Sequence, residues 1–138
     1  MSTEPSYQWL FRKSPALSVS LDQDGFFLDA SDAWLARFGY SRDELNALRP
    51  QDLSSPESEA HIVEDYTPLL RRAGRLTDVP IELVTESGEI VACLANAVVE
   101  HDEESGDYVR TVAVYTEIGT ADAIEQHYRD LYRDTPAM

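Results

Sequence analysis

The sequence is short of cysteine, lysine, glycine and long apolar runs, and each shortage excludes a class of function. One cysteine, Cys93, rules out an internal disulfide and any zinc site built from several thiolates. It lies within the apolar stretch VACLANAVV, where a small core residue is the expected role rather than a reactive thiol. The six glycines are scattered, so no glycine-rich loop can cradle a phosphate, and neither His-Glu-x-x-His nor Gly-x-Ser-x-Gly occurs. The three histidines, His61, His101 and His127, fall on a helix start, a turn and a C-terminal helix, too dispersed for a metal set or a catalytic triad. No run of apolar residues approaches the length of a bilayer, and the start MSTEPSYQW lacks the basic and then apolar order of a signal peptide. The expectation is a cytoplasmic protein without direct membrane insertion. Lys13 is the only lysine, and 11 basic residues face 26 acidic ones for a net charge of −15. Such a surface repels phosphate backbones, so no nucleic-acid partner is expected. Salt adaptation favours an acidic, lysine-poor surface, although a GC-rich genome produces the same arginine bias.

What is present is the composition of one globular core. Hydrophobic residues make up 43% of the 138 residues and charged ones 27%, enough for a single domain with short extensions. Pro5 to Lys13 places Tyr7, Leu10 and Phe11 at helical spacing. Ala16 to Leu21 and Phe26 to Ala30 read as a hairpin turning at Asp22-Gln23-Asp24-Gly25. Ser31-Asp32 opens a helix carrying Trp34, Leu35 and Phe38, which Gly39 ends, and Ser41 with Glu44 forms a capping box for the next helix. There Leu45 and Leu48 should face inward. Ser55-Pro56 starts a longer helix through Ile62, Val63, Tyr66, Leu69 and Leu70 to Gly74; Pro68 predicts a break near Tyr66, with Thr67 capping the second half. Val79 to Thr85, Ile90 to Glu100 and Tyr108 to Ile118 then read as three antiparallel strands. The plan is α+β: a five-stranded antiparallel sheet with helices on one face, plus flanking N-terminal and C-terminal helices. The last two strands are apolar or small at nearly every position, which implies that both sheet faces are covered. The second face needs a lid, from the N-terminal helix, a partner subunit or both.

This order, together with SDAWLARFGYSRDEL, resembles the PAS domain family, in which a helix ending in Gly-Tyr and then Ser/Thr-x-x-Glu-Leu follows the second strand. The matching pieces are LDQDGFFLDAS in the hairpin, FGYSRDEL at the helix junction, Glu86-Ser87-Gly88 before the fourth strand and YTEI closing the fifth. Two positions depart from the pattern. Ser31 stands where the family usually has asparagine, losing an amide that often ties helix to hairpin, and Glu117-Ile118-Gly119 replaces the Asp-Ile-Thr that leads into the output helix. The resemblance runs from about Ser14 to Ile118, so the expected organisation is a sensor domain over 14–119, preceded by the flanking helix over 1–13 and followed by a C-terminal linker helix over 120–138.

The implied role is sensing without catalysis: a small molecule between sheet and helices, or a partner, changes how the flanking helices pack. Light-sensing members of the LOV type carry an Asn-Cys pair on a mid-domain helix, and Gln51 to Ser58 contains no cysteine, which excludes that flavin photochemistry. Haem-binding members use a histidine on the long helix. His61 falls about two residues early for that role, which turns it roughly 200 degrees around the helix and disfavours haem. The cofactor is otherwise undetermined. HDEESGD lacks the spaced oxygen ligands of a calcium loop and reads as a solvated hairpin tip. Candidate pocket-lining residues are Trp34, Phe38, Tyr66, Asn96 and Tyr115. Packing alone explains the aromatic Trp34, Phe38 and Tyr66 more readily than a ligand does, and Asn96 is a lone amide that needs a partner, either a neighbouring side chain or a ligand.

The expected partners are a second copy of the chain and a linked effector of the diguanylate cyclase or histidine kinase class. Trp9, Leu10 and Phe11 are the candidate dimer residues. Ile124, Tyr128 and Leu131 follow Ala121 at spacings of three, four and three, a short coiled-coil seam suited to output. Two alternatives stand beside this reading: a PAS interaction scaffold without ligand, and a small pocketed α+β enzyme. YQWLFRKSPAL, from Tyr7, also resembles YRDLYRDTPAM, from Tyr128. The repeat predicts that 120–138 runs into the start of a second such domain; coincidence between two helix-to-strand junctions is the competing account.

Overall fold

A computed structural model describes residues 6–119 and Arg129. Helix α1 (Tyr7–Lys13) precedes a hairpin of β1 (Leu17–Leu21) and β2 (Phe27–Ala30); α2 (Asp32–Phe38), α3 (Arg42–Leu45), a tight 3-10 turn (Pro50–Leu53), α4 (Pro56–His61) and α5 (Thr67–Ala73) follow, and β3 (Arg75–Val84), β4 (Ile90–His101) and β5 (Tyr108–Gly119) complete the domain. The strands lie in the order β2-β1-β5-β4-β3, all antiparallel. The last strand therefore enters between the first and the fourth, and β1 and β5 pair in register from Leu17 opposite Tyr115 to Leu21 opposite Thr111.

Local chemistry accounts for most boundaries. Ser31 and Ser41 cap α2 and α3, and the Ser41–Glu44 capping box forms in both directions. Gly39, at φ 86°, ends α2 in the left-handed region, and a Cβ there would sit 3.3 Å from that of Glu86. The left-handed conformation favours glycine, and the close approach of Glu86 adds to that preference. Leu45 is buried and Leu48 is partly buried against the core. The expected break near Tyr66 takes a different form. The helix widens into a π turn over Ile62–Tyr66, where the Thr67 N–H reaches back to the Ile62 carbonyl, and Thr67 caps nothing. The wider turn puts Pro68 in the first turn of α5, where its missing N–H costs no helical bond.

Strand β3 starts four residues earlier than its β-branched run, at Arg75, because the chain pairs with β4 on both sides of a bulge between Leu76 and Val79. Asp78 sits in that bulge at φ 50°. The outer edge of β3 is occupied by side chains and backbone from the helical half. Ser55 N–H donates to the Glu82 carbonyl, Glu82 N–H to Ser58 Oγ at 2.7 Å, Tyr66 Oη to the Pro80 carbonyl at 2.9 Å and Tyr40 Oη to the Val84 carbonyl at 2.8 Å. An edge that could pair with another chain is thereby used internally.

The inner sheet face carries small residues in its middle, Ala95, Ala97, Cys93 and Ala113, and the buried aromatic side chains of the helical half pack in the same cluster. On the outer face the register places Leu94, Asn96 and Val98 of β4 opposite Thr116, Val114 and Val112 of β5. Of these, Leu94, Val112 and Val114 are half-buried, whereas Val98 is 42% exposed, and Leu28 of β2 is also exposed. The apolar character read from the sequence is real, but α1 does not lie over this face. It packs beside α2.

Candidate sensing core and its charged ends

The centre of the domain is an aromatic cluster set by α2. Ser31, fully buried, holds the helix start: its Oγ accepts from the N–H groups of Trp34 (3.2 Å) and Ser18 (3.1 Å) and donates to the Ala16 carbonyl (2.8 Å). The tie between helix and hairpin, expected to be lost with asparagine, is made here by the shorter serine. Trp34 then packs at a tilt against Phe38 (ring centroids 4.8 Å) and Phe27 (5.6 Å) and stacks on Tyr40 (6.1 Å). Trp34 is 1% exposed and its Nε1–H has no hydrogen-bond partner among the described residues. Tyr66 and Tyr115 belong to the same buried cluster. Burial pushes the Tyr115 phenol well above its ordinary pKa, and it pushes the Cys93 thiol up to about 12 with a further push from Glu117, leaving an inert thiol.

Four of the five residues expected to line a pocket, Trp34, Phe38, Tyr66 and Tyr115, thus meet in one cluster. Asn96 does not join them. It lies on the outer face, where its Oδ1 accepts from the Asp78 N–H and its Nδ2 donates to Asp78 Oδ1, both at 3.0 Å. Its partner is the β3 bulge, a pairing 18 residues away that periodicity cannot reveal. His61 engages Asp65 through Nδ1 at 2.8 Å and stacks on Tyr66. On α1, Trp9 and Leu10 are exposed and Phe11 is half-buried. Ile124, Tyr128 and Leu131, with the expected linker helix, lie outside the described residues.

Two charged clusters escaped the sequence reading. At one end, Arg12 and Arg42 share the carboxylate of Asp29, at 2.9 and 2.8 Å, while Asp32 takes Lys13 at 2.8 Å and Arg42 at 3.0 Å. Burial opposes the Asp29 charge, but hydrogen bonds from Arg12, the Ala30 N–H and Arg42 outweigh it and hold its pKa below the usual range; Lys13 and Arg42 do the same for Asp32. At the other end, Arg37 of α2 grips Glu117 of β5 through two bonds of 2.8 and 3.0 Å and reaches Glu89 of the β3–β4 turn at 3.1 Å. These pairs raise the Arg37 pKa and lower that of Glu117. Glu117 is the residue that replaces the usual aspartate, and its contact runs back to the helix that carries Trp34 and Phe38. Among the described residues no three His, Cys, Asp or Glu side chains are grouped to hold a metal, and no helix is long and apolar enough to cross a membrane.

A family model described as PAS domain matches residues 15–119. The chain belongs to the PAS domain family. This PAS domain is similar to solved structures that share its fold at low identity. One is the PAS domain of a protein from Colwellia psychrerythraea, 20% identical, with a TM-score of 0.70, covering 80% of this chain and 92% of that one. Another is a PAS domain from a two-component sensor histidine kinase, 20% identical, with a TM-score of 0.64, covering 79% and 90%. A third is the dark structure of the blue-light photoreceptor Aureochrome1 LOV, 19% identical, with a TM-score of 0.74, covering 97% and 99%. No curated protein matches the chain. Cysteine photochemistry does not fit the residues of this PAS domain, since Cys93 sits on β4 as a fully buried, high-pKa thiol. The family is sensory in character rather than catalytic.

Proposed function

We propose that this PAS domain is a sensing and dimerising module of a larger signalling protein, itself non-catalytic, that couples a small ligand or partner to a linked effector of the histidine kinase or diguanylate cyclase class. The observation that carries this reading is the pairing, on one chain, of a partly exposed apolar sheet face with a helix that exposes Tyr7 (82%), Trp9 (60%) and Leu10 (47%). Covering one large apolar side chain is worth about 1.5 to 3 kcal/mol, so a second copy that brings α1 onto sheet or onto its counterpart gains substantially. The likeness to a histidine kinase PAS domain supports the effector class. Analytical ultracentrifugation of the full chain and of a chain lacking residues 1–13 tests it: deletion should lower the dimer fraction, and an unchanged sedimentation profile would sink the idea. Output through the segment after Gly119 is tested in the parent protein by inserting one residue there, which rotates the seam by about 100 degrees; normal regulation would count against it.

A second reading, an interaction scaffold with no ligand, is favoured by the interior itself. Trp34, Phe38, Phe27 and Leu45 are each at most 2% exposed and occupy the space between helices and sheet. Native mass spectrometry of protein purified without added cofactor separates the two. Additional bound mass supports ligand sensing, and a dimer of bare chains supports the scaffold.

A further inference from the structure

We infer that α1 is held to the domain by charge rather than by burial, through a salt-sensitive latch whose pivot is the carboxylate of Asp29. The helix has seven residues and none of them is buried. A helix that short does not persist on its own; Tyr7, Trp9 and Leu10 are exposed, and Phe11 is half-buried without joining the core cluster. What joins it to the core is its last turn. Arg12 reaches Asp29 of β2, and Lys13 reaches Asp32 at the start of α2.

Neither carboxylate belongs to α1 alone. Arg42 of α3 bonds the second oxygen of Asp29, one oxygen of Asp32 and the Ala30 carbonyl at 2.8 Å. Asp29 is the less exposed of the two acids, at 17% of its side chain. It therefore presents one oxygen to α1 and the other to α3, the short helix whose Leu45 enters the core. A shift of α3 that moves Arg42 alters the charge and position that Arg12 meets. Arg42 is thus a positioning residue for α1, although its bonds go to Asp29, Ala30 and Asp32 and none goes to α1. The ion pairs at α1 are partly open to water, with Arg12 at 36% and Lys13 at 55% exposure, so dissolved ions compete with them. Raising salt from about 0.05 M to about 1 M shortens the screening length from more than 10 Å to about 3 Å. On that basis α1 releases with rising ionic strength while the apolar core, which salt does not screen, stays folded.

Hydrogen exchange of the full chain measures this directly. In wild type, exchange of the α1 amides should rise about fivefold between those two salt concentrations, with β4 and β5 unchanged. Arg12→Gln should show the fast α1 exchange already at low salt and lose most of its salt dependence. Arg42→Gln should speed α1 as well, although it removes no α1 bond, and Lys13→Gln provides a second test if Arg12→Gln folds poorly. The inference is overturned if α1 exchange ignores both salt and Arg12→Gln, or if it rises only together with exchange in the central strands. Dilution distinguishes it from the dimer reading. A salt response that persists in the monomer supports the latch, and one that disappears there overturns the latch and leaves dimerisation through α1 standing.

Discussion

Replacing Ser31 with alanine removes a single oxygen that serves three backbone groups, so the cost should far exceed that of an ordinary helix cap. Loss of the cap to the Trp34 N–H is worth about 1 kcal/mol. The Ser18 N–H and the Ala16 carbonyl also lose this partner, and Ser31 itself has no exposure through which water could substitute. At about 1 to 3 kcal/mol for each stranded group, with local relaxation recovering part of it, the total comes to about 2 to 4 kcal/mol. For a domain of this size 1 kcal/mol moves Tm by about 4 °C, which gives a drop of about 8 to 16 °C. Ser41→Ala is the internal standard. Ser41 is exposed and its side chain caps only the Glu44 N–H, so its loss should lower Tm by about 2 to 4 °C. Thermal unfolding followed by circular dichroism reads both. A Ser31→Ala protein that melts no lower than Ser41→Ala would show that the helix-to-hairpin tie contributes nothing beyond capping.

Tyr66→Phe removes the phenolic donor to the Pro80 carbonyl at the buried edge of β3 and should cost about 1 to 2 kcal/mol in urea titration without changing the m-value; an unaffected midpoint would show that water serves that carbonyl. Cys93 should resist iodoacetamide at about pH 8 in the native protein and react only on unfolding, because burial keeps the thiol protonated; native labelling at the rate of a free thiol would contradict the packing. Asp29→Asn carries a pH signature. A carboxylate whose folded pKa is depressed contributes stability that is present above its unfolded value, about 3.9, and lost as pH falls through the folded value. The Tm gap between wild type and Asp29→Asn should thus be full at neutral pH and close below about pH 4, and a gap independent of pH would remove charge from the account. Asn96→Ala should accelerate hydrogen exchange at the Asp78 bulge while leaving the aromatic core unaltered, because its partners lie on the outer face; slower core packing dynamics or a changed near-ultraviolet spectrum would return Asn96 to the interior.

Local signals carried much of this protein. Serine caps, the left-handed glycine after α2, the hairpin turns and the runs of Val, Ile and Thr specify their elements through neighbours a few residues apart, which is why the helices of the central half and all five strands were legible along the chain. Trp34, Phe38, Tyr66 and Tyr115 could be assigned to the interior for the same reason, since size and apolarity alone commit them to it. Features set by partners far apart in sequence were not legible. The insertion of β5 between β1 and β4, the bond from Arg37 to Glu117 across 80 residues, and the sharing of Asp29 by Arg12 and Arg42 depend on how the sheet closes on itself. Asn96 shows the limit most plainly. Alternation along its strand was masked by apolar residues on both faces, so a one-residue difference in register decided between a pocket and the outer surface. Composition and local patterning dictate that this chain builds one helix-covered sheet around an aromatic centre. Which charges meet, and the attachment of α1 at its last turn, are set by the folded arrangement, because hydrophobic burial follows from composition whereas an ion pair needs two particular groups within about 3 to 4 Å.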